Sequence, residues 1–178
     1  MPTYIAFLRA INLGARRKFP KDAIAAATAS IGACDVETYI NTGNVRLTSL
    51  MRSTAKVEEA LEAAYLADRG FEVPTIALTP DELRRVAEEA EAVRAQLGEP
   101  RTHYVTLLKA APSEAALAAV QALEAPGERL VVRGRGAHLL LDEGMQGSRL
   151  SNAKELKALG VGTARNVTVV RTLAERWC

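Results

Sequence analysis

The sequence is poor in the residues that build disulfides, metal centres and aromatic cores. Its 178 residues include two cysteines, two histidines and one tryptophan, and only 4% are aromatic. Cys34 and Cys178 lie far apart without a CxxC pattern, so we expect no structural disulfide and a reducing, cytoplasmic setting. His103 and His138 complete no metal-ligand spacing. The sequence therefore predicts no metal site, no cofactor and a core built mainly from Ala, Leu, Val and Ile.

Long apolar runs and a strong net charge are also missing. The longest apolar runs have the length of strands, well below the roughly 20 residues of a membrane-spanning helix. No basic region precedes an apolar segment at the N-terminus, so we expect neither a signal peptide nor a membrane partner. The net charge of +2 is too small to indicate nucleic acid by itself. What remains, 48% hydrophobic and 25% charged residues, is typical of a folded protein.

The first part of the chain alternates strand and helix patterns. The apolar run Tyr4–Ala10 has the length of a strand, and the alanine-rich segment after it begins at Pro20 and ends at Gly32, as helices do. Alternating apolar positions on either side of Gly43 predict a β-hairpin. A second helical stripe, closed by Gly70, and a short strand complete the order βαββαβ. This order predicts a ferredoxin-like subdomain, in which two helices pack on one face of an antiparallel sheet.

The second part of the chain repeats this order. TYIAFLRA at Thr3–Ala10 aligns with HYVTLLKA at His103–Ala110, and a helix and a glycine-turned hairpin follow in each case. The end departs from the repeat, because apolar residues from Val167 to Trp177 have helical spacing, and we expect a final helix there rather than a fourth strand. The sequence thus predicts an α+β fold of two ferredoxin-like (split βαβ) subdomains produced by internal duplication. We expect the first at residues 1–80, a connecting helix and linker at 81–100, and the second, with the extra helix, at 101–178.

The loop after the first strand carries the first candidate ligand residues. It has the sequence RAINLGARRK, and backbone amides near a glycine, backed by cations, are suited to an anion. The candidates are Arg9, Asn12, Gly14 and Arg16. The segment contains neither GxGxxG nor GxxxxGK[ST], so it is not a nucleotide-binding fingerprint. The competing interpretation is a solvated turn before a helix, with its cations in water.

Three other segments supply the remaining candidates. The NTGN turn contains Gly43 and Asn44, residue types that first of all suit hairpin turns. GSRLSNAK and GTARN each place a hydroxyl residue next to an arginine near an expected helix start, where side-chain caps and anions both bind. Their candidates are Ser148, Arg149, Arg165 and Asn166.

Four segments together resemble the bacterial domain-of-unknown-function family 1697. They are YIAFLRAINLGARRK, DVETYINTGNVRL, FEVPTIALTPDEL and GSRLSNAKELKALGVGTARNVTVVRTL, and the resemblance runs nearly end to end. The family's Ser-Gly-Asn corresponds to Thr42, Gly43 and Asn44, and its Arg-Asn-Trp to Arg165 and Asn166 followed by Val167. The resemblance implies two ferredoxin-like subdomains in one α+β chain, and it brings no established activity, substrate or cofactor.

Three functions stay open at this point. The first is binding of a small phosphate- or carboxylate-bearing ligand between the two subdomains, with the first loop as one wall and the two C-terminal segments as the other. The second is nucleic-acid binding by Arg16, Arg17, Lys18 and the basic C-terminal region. The third is a structural or partner-binding role, in which the polar residues join loops. The sequence nominates no catalytic residue, because it contains no GxSxG and both histidines fall within expected strands.

Overall fold

The computed structural model describes every residue from Met1 to Cys178, and these residues divide into two compact units. The first unit comprises Met1–Glu82 together with Trp177, and the second comprises Leu83–Arg176 together with Cys178. The three-part division expected from the sequence, with 81–100 as a separate connector, stays a prediction.

The two units contain eight strands, five α-helices and two short 3₁₀ helices. The strands are β1 Thr3–Leu8, β2 Cys34–Tyr39, β3 Asn44–Thr48, β4 Thr75–Leu78, β5 Thr102–Leu108, β6 Glu128–Arg133, β7 Gly136–Leu141 and β8 Gly162–Asn166. The α-helices are α1 Lys21–Ala29, α2 Thr54–Arg69, α3 Pro80–Leu97, α4 Glu114–Gln121 and α5 Val167–Trp177. The 3₁₀ helices are Leu150–Asn152 and Lys154–Leu159. None of the helices combines the length and the apolar character that crossing a membrane requires.

The first unit is a four-stranded antiparallel sheet in the order β2-β3-β1-β4. Helices α1 and α2 cover one face, where Leu61 and Tyr65 from α2 join Ile24 from α1 over Ala6 and Leu8 of the central strand. Because the third strand is inserted between the first and the second, β1-α1-β2 is the split βαβ unit predicted from the sequence. The ferredoxin-like fold of this half is confirmed.

The second unit repeats the topology with the order β6-β7-β5-β8. Helix α4 and the 3₁₀ segment Lys154–Leu159 pack on one face, where Val120 and Leu159 join Leu108 in a common core cluster. The two 3₁₀ helices take the position of the second helix, and Ala153 between them is extended, with φ −66° and ψ 131°. The prediction of two similar subdomains in an α+β chain is therefore confirmed.

The end of the chain differs from the sequence-based expectation. Gly162–Asn166 forms strand β8, which pairs antiparallel with β5, and helix α5 begins at the next residue. The predicted final helix is confirmed, but the preference for a helix over a fourth strand is wrong, because both are formed. The strand was hidden because one of its buried positions is occupied by Arg165, which interrupts the apolar alternation.

Candidate functional site

Asn12 joins the loop after β1 to the turn between β2 and β3. Its Nδ2 donates hydrogen bonds to the carbonyl oxygens of Phe19 (3.2 Å) and Asn41 (2.7 Å), and its Oδ1 accepts one from the Phe19 amide (2.9 Å). Its own backbone amide donates to the Arg17 carbonyl at 2.7 Å. The primary role of this side chain is thus to hold the loop closed.

The basic triplet of the same loop is divided between structure and solvent. The Nε of Arg17 donates to the Ala10 carbonyl at 2.6 Å, its Nη2 donates to the Glu72 carbonyl at 2.5 Å, and its guanidinium lies 4.6 Å from the centre of the Phe71 ring. Arg17 therefore serves as a structural tie. The other cations of the segment, Arg9, Arg16 and Lys18, are exposed.

Gly43 and Asn44 have the structural roles that turn chemistry predicts. Asn44 is fully buried, and its Nδ2 donates to the Tyr39 carbonyl at 3.0 Å and to the Thr42 hydroxyl at 2.9 Å. Gly43 has φ +77°, a conformation that glycine adopts at little cost. Both residues therefore stabilise the conformation of the turn.

An open cavity of about 570 Å³ lies beside this loop, and we call it the loop cavity. It is lined by Asn12, Gly14, Lys18, Pro20, Asn41 and Arg69. Two lining residues are cations, two are amides and none is a carboxylate. The Nε of Arg69 pairs with the neighbouring Asp68 at 2.6 Å, and the Arg69 guanidinium lies 5.2 Å from the centre of the Phe19 ring. The lining thus offers hydrogen-bond donors and positive charge to a ligand.

Unusual backbone conformations surround the loop cavity. Four non-glycine residues of the chain have positive φ, and three of them are Ala10 (57°), Asn12 (55°) and Ile40 (48°). Asparagine tolerates this region, but a β-branched residue such as Ile40 is strained there. Strain of this kind, on the order of 1–3 kcal/mol for each residue, concentrates at functional sites. The loops that contribute Asn12 and Asn41 to the cavity therefore combine a lining rich in hydrogen-bond donors with strained backbone.

In the second unit, the predicted anion site at Ser148 and Arg149 is occupied by a carboxylate of the protein itself. The two Glu128 oxygens accept hydrogen bonds from the Ser148 hydroxyl (2.7 Å), the Arg149 amide (2.8 Å) and the Leu150 amide (2.9 Å). Burial alone would raise the pKa of the Glu128 carboxyl, but these hydrogen bonds and the charge of Arg149 hold it below its usual value. These donors thus bind an internal carboxylate, and a ligand at Ser148 and Arg149 stays a prediction.

Arg165 and Asn166 lie where β8 passes into α5. Arg165 is 7% exposed, and its Nη1 donates to the Thr163 hydroxyl and to the Ala164 carbonyl, each at 2.9 Å. Burial lowers its pKa to about 10, which still leaves the guanidinium charged at neutral pH. Asn166 caps α5, since its Oδ1 accepts the Thr168 amide at 2.9 Å.

The candidate residues of each unit are described by their neighbours within that unit. Asn12 and Gly14 line the loop cavity, whereas Ser148 and Arg149 enclose Glu128. The expected binding site between the two halves stays a prediction. Sequence analysis did not nominate Asn41, Arg69 or Glu128, because only chain folding brings them to their positions. Lys18 was visible in the basic triplet but was assigned to nucleic-acid binding alone.

The two histidines form a buried pair in the second sheet. His103 and His138 are 3% and 0% exposed, and His103 Nε2 lies 3.2 Å from His138 Nδ1. The outer ring nitrogens of both are buried without a hydrogen-bond partner. Both pKa values are lowered to about 4, chiefly by burial. Arg94 contributes to the lowering for His103, with Glu99 opposing it, and His103 and Arg133 contribute for His138. No group of three or more His, Cys, Asp or Glu residues is arranged to hold a metal ion.

The histidine pair predicts a loss of stability in mild acid. An unfolded histidine has a pKa of about 6.5, so the unfolded chain binds protons that the folded chain, with pKa values of about 4, excludes. The stabilisation is complete above pH 6.5 and is lost as the pH falls from 6.5 toward 4. Between pH 7 and pH 5.5, the free energy of unfolding in urea should fall by about 1 kcal/mol for each histidine. The double variant His103→Gln/His138→Gln should flatten this slope; an unchanged slope in the variant would refute the assignment.

Comparison with known proteins supports the fold and the family. The family model described as protein of unknown function (DUF1697) matches residues 1–137. The chain is similar in structure to the conserved bacterial protein SP0830 from Streptococcus pneumoniae, with a TM-score of 0.78 and 23% identity over 98% of this chain and 97% of that chain. No curated protein matches the sequence. The match confirms the resemblance for the first three of the four sequence segments, whereas the fourth, which begins at Gly147, lies beyond the matched residues. The chain belongs to the DUF1697 family.

Proposed function

We propose that the first unit binds a small phosphate- or carboxylate-bearing ligand in the loop cavity. The observation that carries the proposal is the lining itself, in which Lys18 and Arg69 stand beside the amides of Asn12 and Asn41 without a carboxylate among them. Ammonium and guanidinium groups form charge-assisted hydrogen bonds to anionic oxygens, and these bonds are about twice as strong as neutral ones.

The individual lining residues have different tasks in this proposal. Lys18 and Arg69 supply the charge, although the charge of Arg69 is partly offset by its ion pair with Asp68. Asn12, which is already bonded to Phe19 and Asn41, keeps the loop in place. Gly14 has φ +70° and no atom within 4 Å of the position that a Cβ would occupy, so the backbone there is open to a ligand. In this proposal the loop contains an asparagine to hold its conformation and a lysine to contact the ligand.

The nucleic-acid alternative loses two of its cations to internal contacts. Arg17 is tied to the carbonyl oxygens of Ala10 and Glu72. In the second unit, Arg171 of α5 pairs with Glu91 at 3.0 Å. Fewer exposed cations mean fewer phosphate contacts and weaker binding to a nucleic-acid backbone. Arg69 of the loop cavity is paired as well, with Asp68, so the small anion is favoured by the concave lining without a carboxylate rather than by the number of cations.

Titration calorimetry with inorganic phosphate at low salt tests the proposal. We expect a dissociation constant in the millimolar range, on the order of −4 kcal/mol, as befits a small ligand on exposed cations. Lys18→Gln and Arg69→Gln should each weaken binding about fivefold, which corresponds to about 1 kcal/mol. Lys56→Gln is the matched control, because Lys56 is exposed at the opposite end of α2 and is not among the cavity residues.

Two results would overturn the proposal. One is the absence of heat from phosphate and from acetate at low salt. The other is an equal loss of affinity in Lys56→Gln and in the two cavity variants, which would show general charge attraction. Binding of mixed-sequence RNA that falls steeply with salt, without any phosphate binding, would favour the nucleic-acid function instead.

A further inference from the structure

Large apolar side chains are exposed around the loop cavity. Leu13 is 66% exposed and lies between the lining residues Asn12 and Gly14. Ile40 is 43% exposed and directly precedes the lining residue Asn41. Leu66 is 45% exposed and lies three residues before Arg69 on α2, a spacing that places two side chains on the same helix face. Each of the three segments that line the cationic cavity thus carries an exposed apolar side chain within three residues of a lining residue.

The backbone conformation of Ile40 is strained. At φ +48° a branched side chain crowds the backbone, whereas asparagine or glycine would occupy the same turn position with little strain. At 43% exposure, part of the apolar surface of this side chain still lacks a contact in the free protein. A ligand that covers Ile40 and Leu13 would supply the missing apolar contact.

We propose that the anion bound in the loop cavity carries an apolar body, as an aryl or branched alkyl phosphate monoester does. The inference rests on the proposed function: Lys18 and Arg69 hold the anionic oxygens, and Leu13 and Ile40 contact the apolar group. Partial burial of one phenyl ring against two aliphatic side chains is sufficient for about a tenfold gain in affinity.

A comparison of phenyl phosphate with inorganic phosphate tests this inference by calorimetry. In the unmodified protein, phenyl phosphate should bind about tenfold more tightly. In the double variant Leu13→Ser/Ile40→Asn the preference should fall to about twofold, with the dissociation constant of inorganic phosphate unchanged. Asparagine is chosen at position 40 because it tolerates positive φ, so the variant should fold at least as well. Leu50→Ser is the control, since Leu50 is 78% exposed beyond the opposite end of β3.

The outcomes separate the two proposals. Equal affinity for both compounds, with phosphate binding intact and sensitive to Lys18→Gln, would overturn the apolar contact and leave the anion site standing. A tenfold preference that persists in the double variant, or that is lost in Leu50→Ser, would also overturn it. If neither compound binds, the anion site and the inference that depends on it are both refuted.

Discussion

Replacing Gly43 with alanine is expected to lower the free energy of unfolding by about 3 kcal/mol. Alanine at φ +77° is strained in any surroundings, and here its Cβ would lie 2.7 Å from Leu8 Cβ and 2.8 Å from Ile11 Cδ1. Leu8 Cβ is attached directly to the backbone of the buried strand β1, so it cannot rotate away. The turn or the end of the strand must therefore move. Urea denaturation followed by circular dichroism measures the loss.

Gly14→Ala is the matched control for this prediction. Gly14 has nearly the same φ, +70°, but no atom lies within 4 Å of the position of its Cβ. Only the conformational penalty applies there, about 1 kcal/mol. The difference between the two variants measures the close approach of the turn to β1. Equal losses of stability in both variants would show that Leu8 and Ile11 can shift away from a Cβ at position 43 at little cost.

Glu58→Ala should cost about 2–3 kcal/mol, because it leaves a buried backbone amide without a hydrogen-bond acceptor. Strand β4 is an edge strand, and its outward amides at Thr75 and Ala77 donate to the carboxylates of Glu62 and Glu58, each at 2.8 Å. Two glutamates one helical turn apart on α2 thus accept hydrogen bonds from two amides that lie two residues apart on β4. Glu58 is only 4% exposed, so in the folded protein the Ala77 amide depends on its carboxylate rather than on bulk water.

Two further substitutions of α2 isolate the cause of this loss. Glu58→Gln keeps an amide oxygen as acceptor and should cost about 1 kcal/mol. Glu59→Ala removes an exposed carboxylate from the next position and should change stability by about 0.5 kcal/mol or less. A Glu58→Ala variant as stable as Glu59→Ala would refute the role of the carboxylate. Because paired amides at an edge also resist pairing with another chain, we expect Glu58→Ala to aggregate more readily on heating.

The topology was largely predictable because its signals are local. Gly70 has positive φ just past the end of α2, where the sequence predicted that a helix ends. Thr79 and Glu82 form a reciprocal cap of α3, and Ser113 caps α4, and both motifs consist of residues three positions apart. Such signals depend on a few neighbouring residues, so they survive without knowledge of the fold.

Signals that depend on distant partners were not predictable. Strand β8 forms by pairing with β5, some sixty residues earlier in the chain, and its own alternation is interrupted by Arg165. Near the helix start expected after Ser148, the chain forms two 3₁₀ segments separated by the extended residue Ala153. Arg17 appears identical to Arg16 in the sequence, yet the structure makes one a tie and leaves the other exposed.

The βαββαβ order of the first half, the repeat of its first elements in the second half, the turns and most helix ends can be read from the residues alone, since periodicity and glycine or proline positions act over one or two turns of chain. It also singled out Asn12 and Gly14 as residues of the loop. The folded chain decides which donors a ligand can reach. Glu128 already accepts hydrogen bonds from the Ser148 hydroxyl and the Arg149 backbone amide, while Arg69 comes to lie beside Lys18 from the end of α2. Electrostatic pairing acts through space, and residue order does not encode which charges will meet.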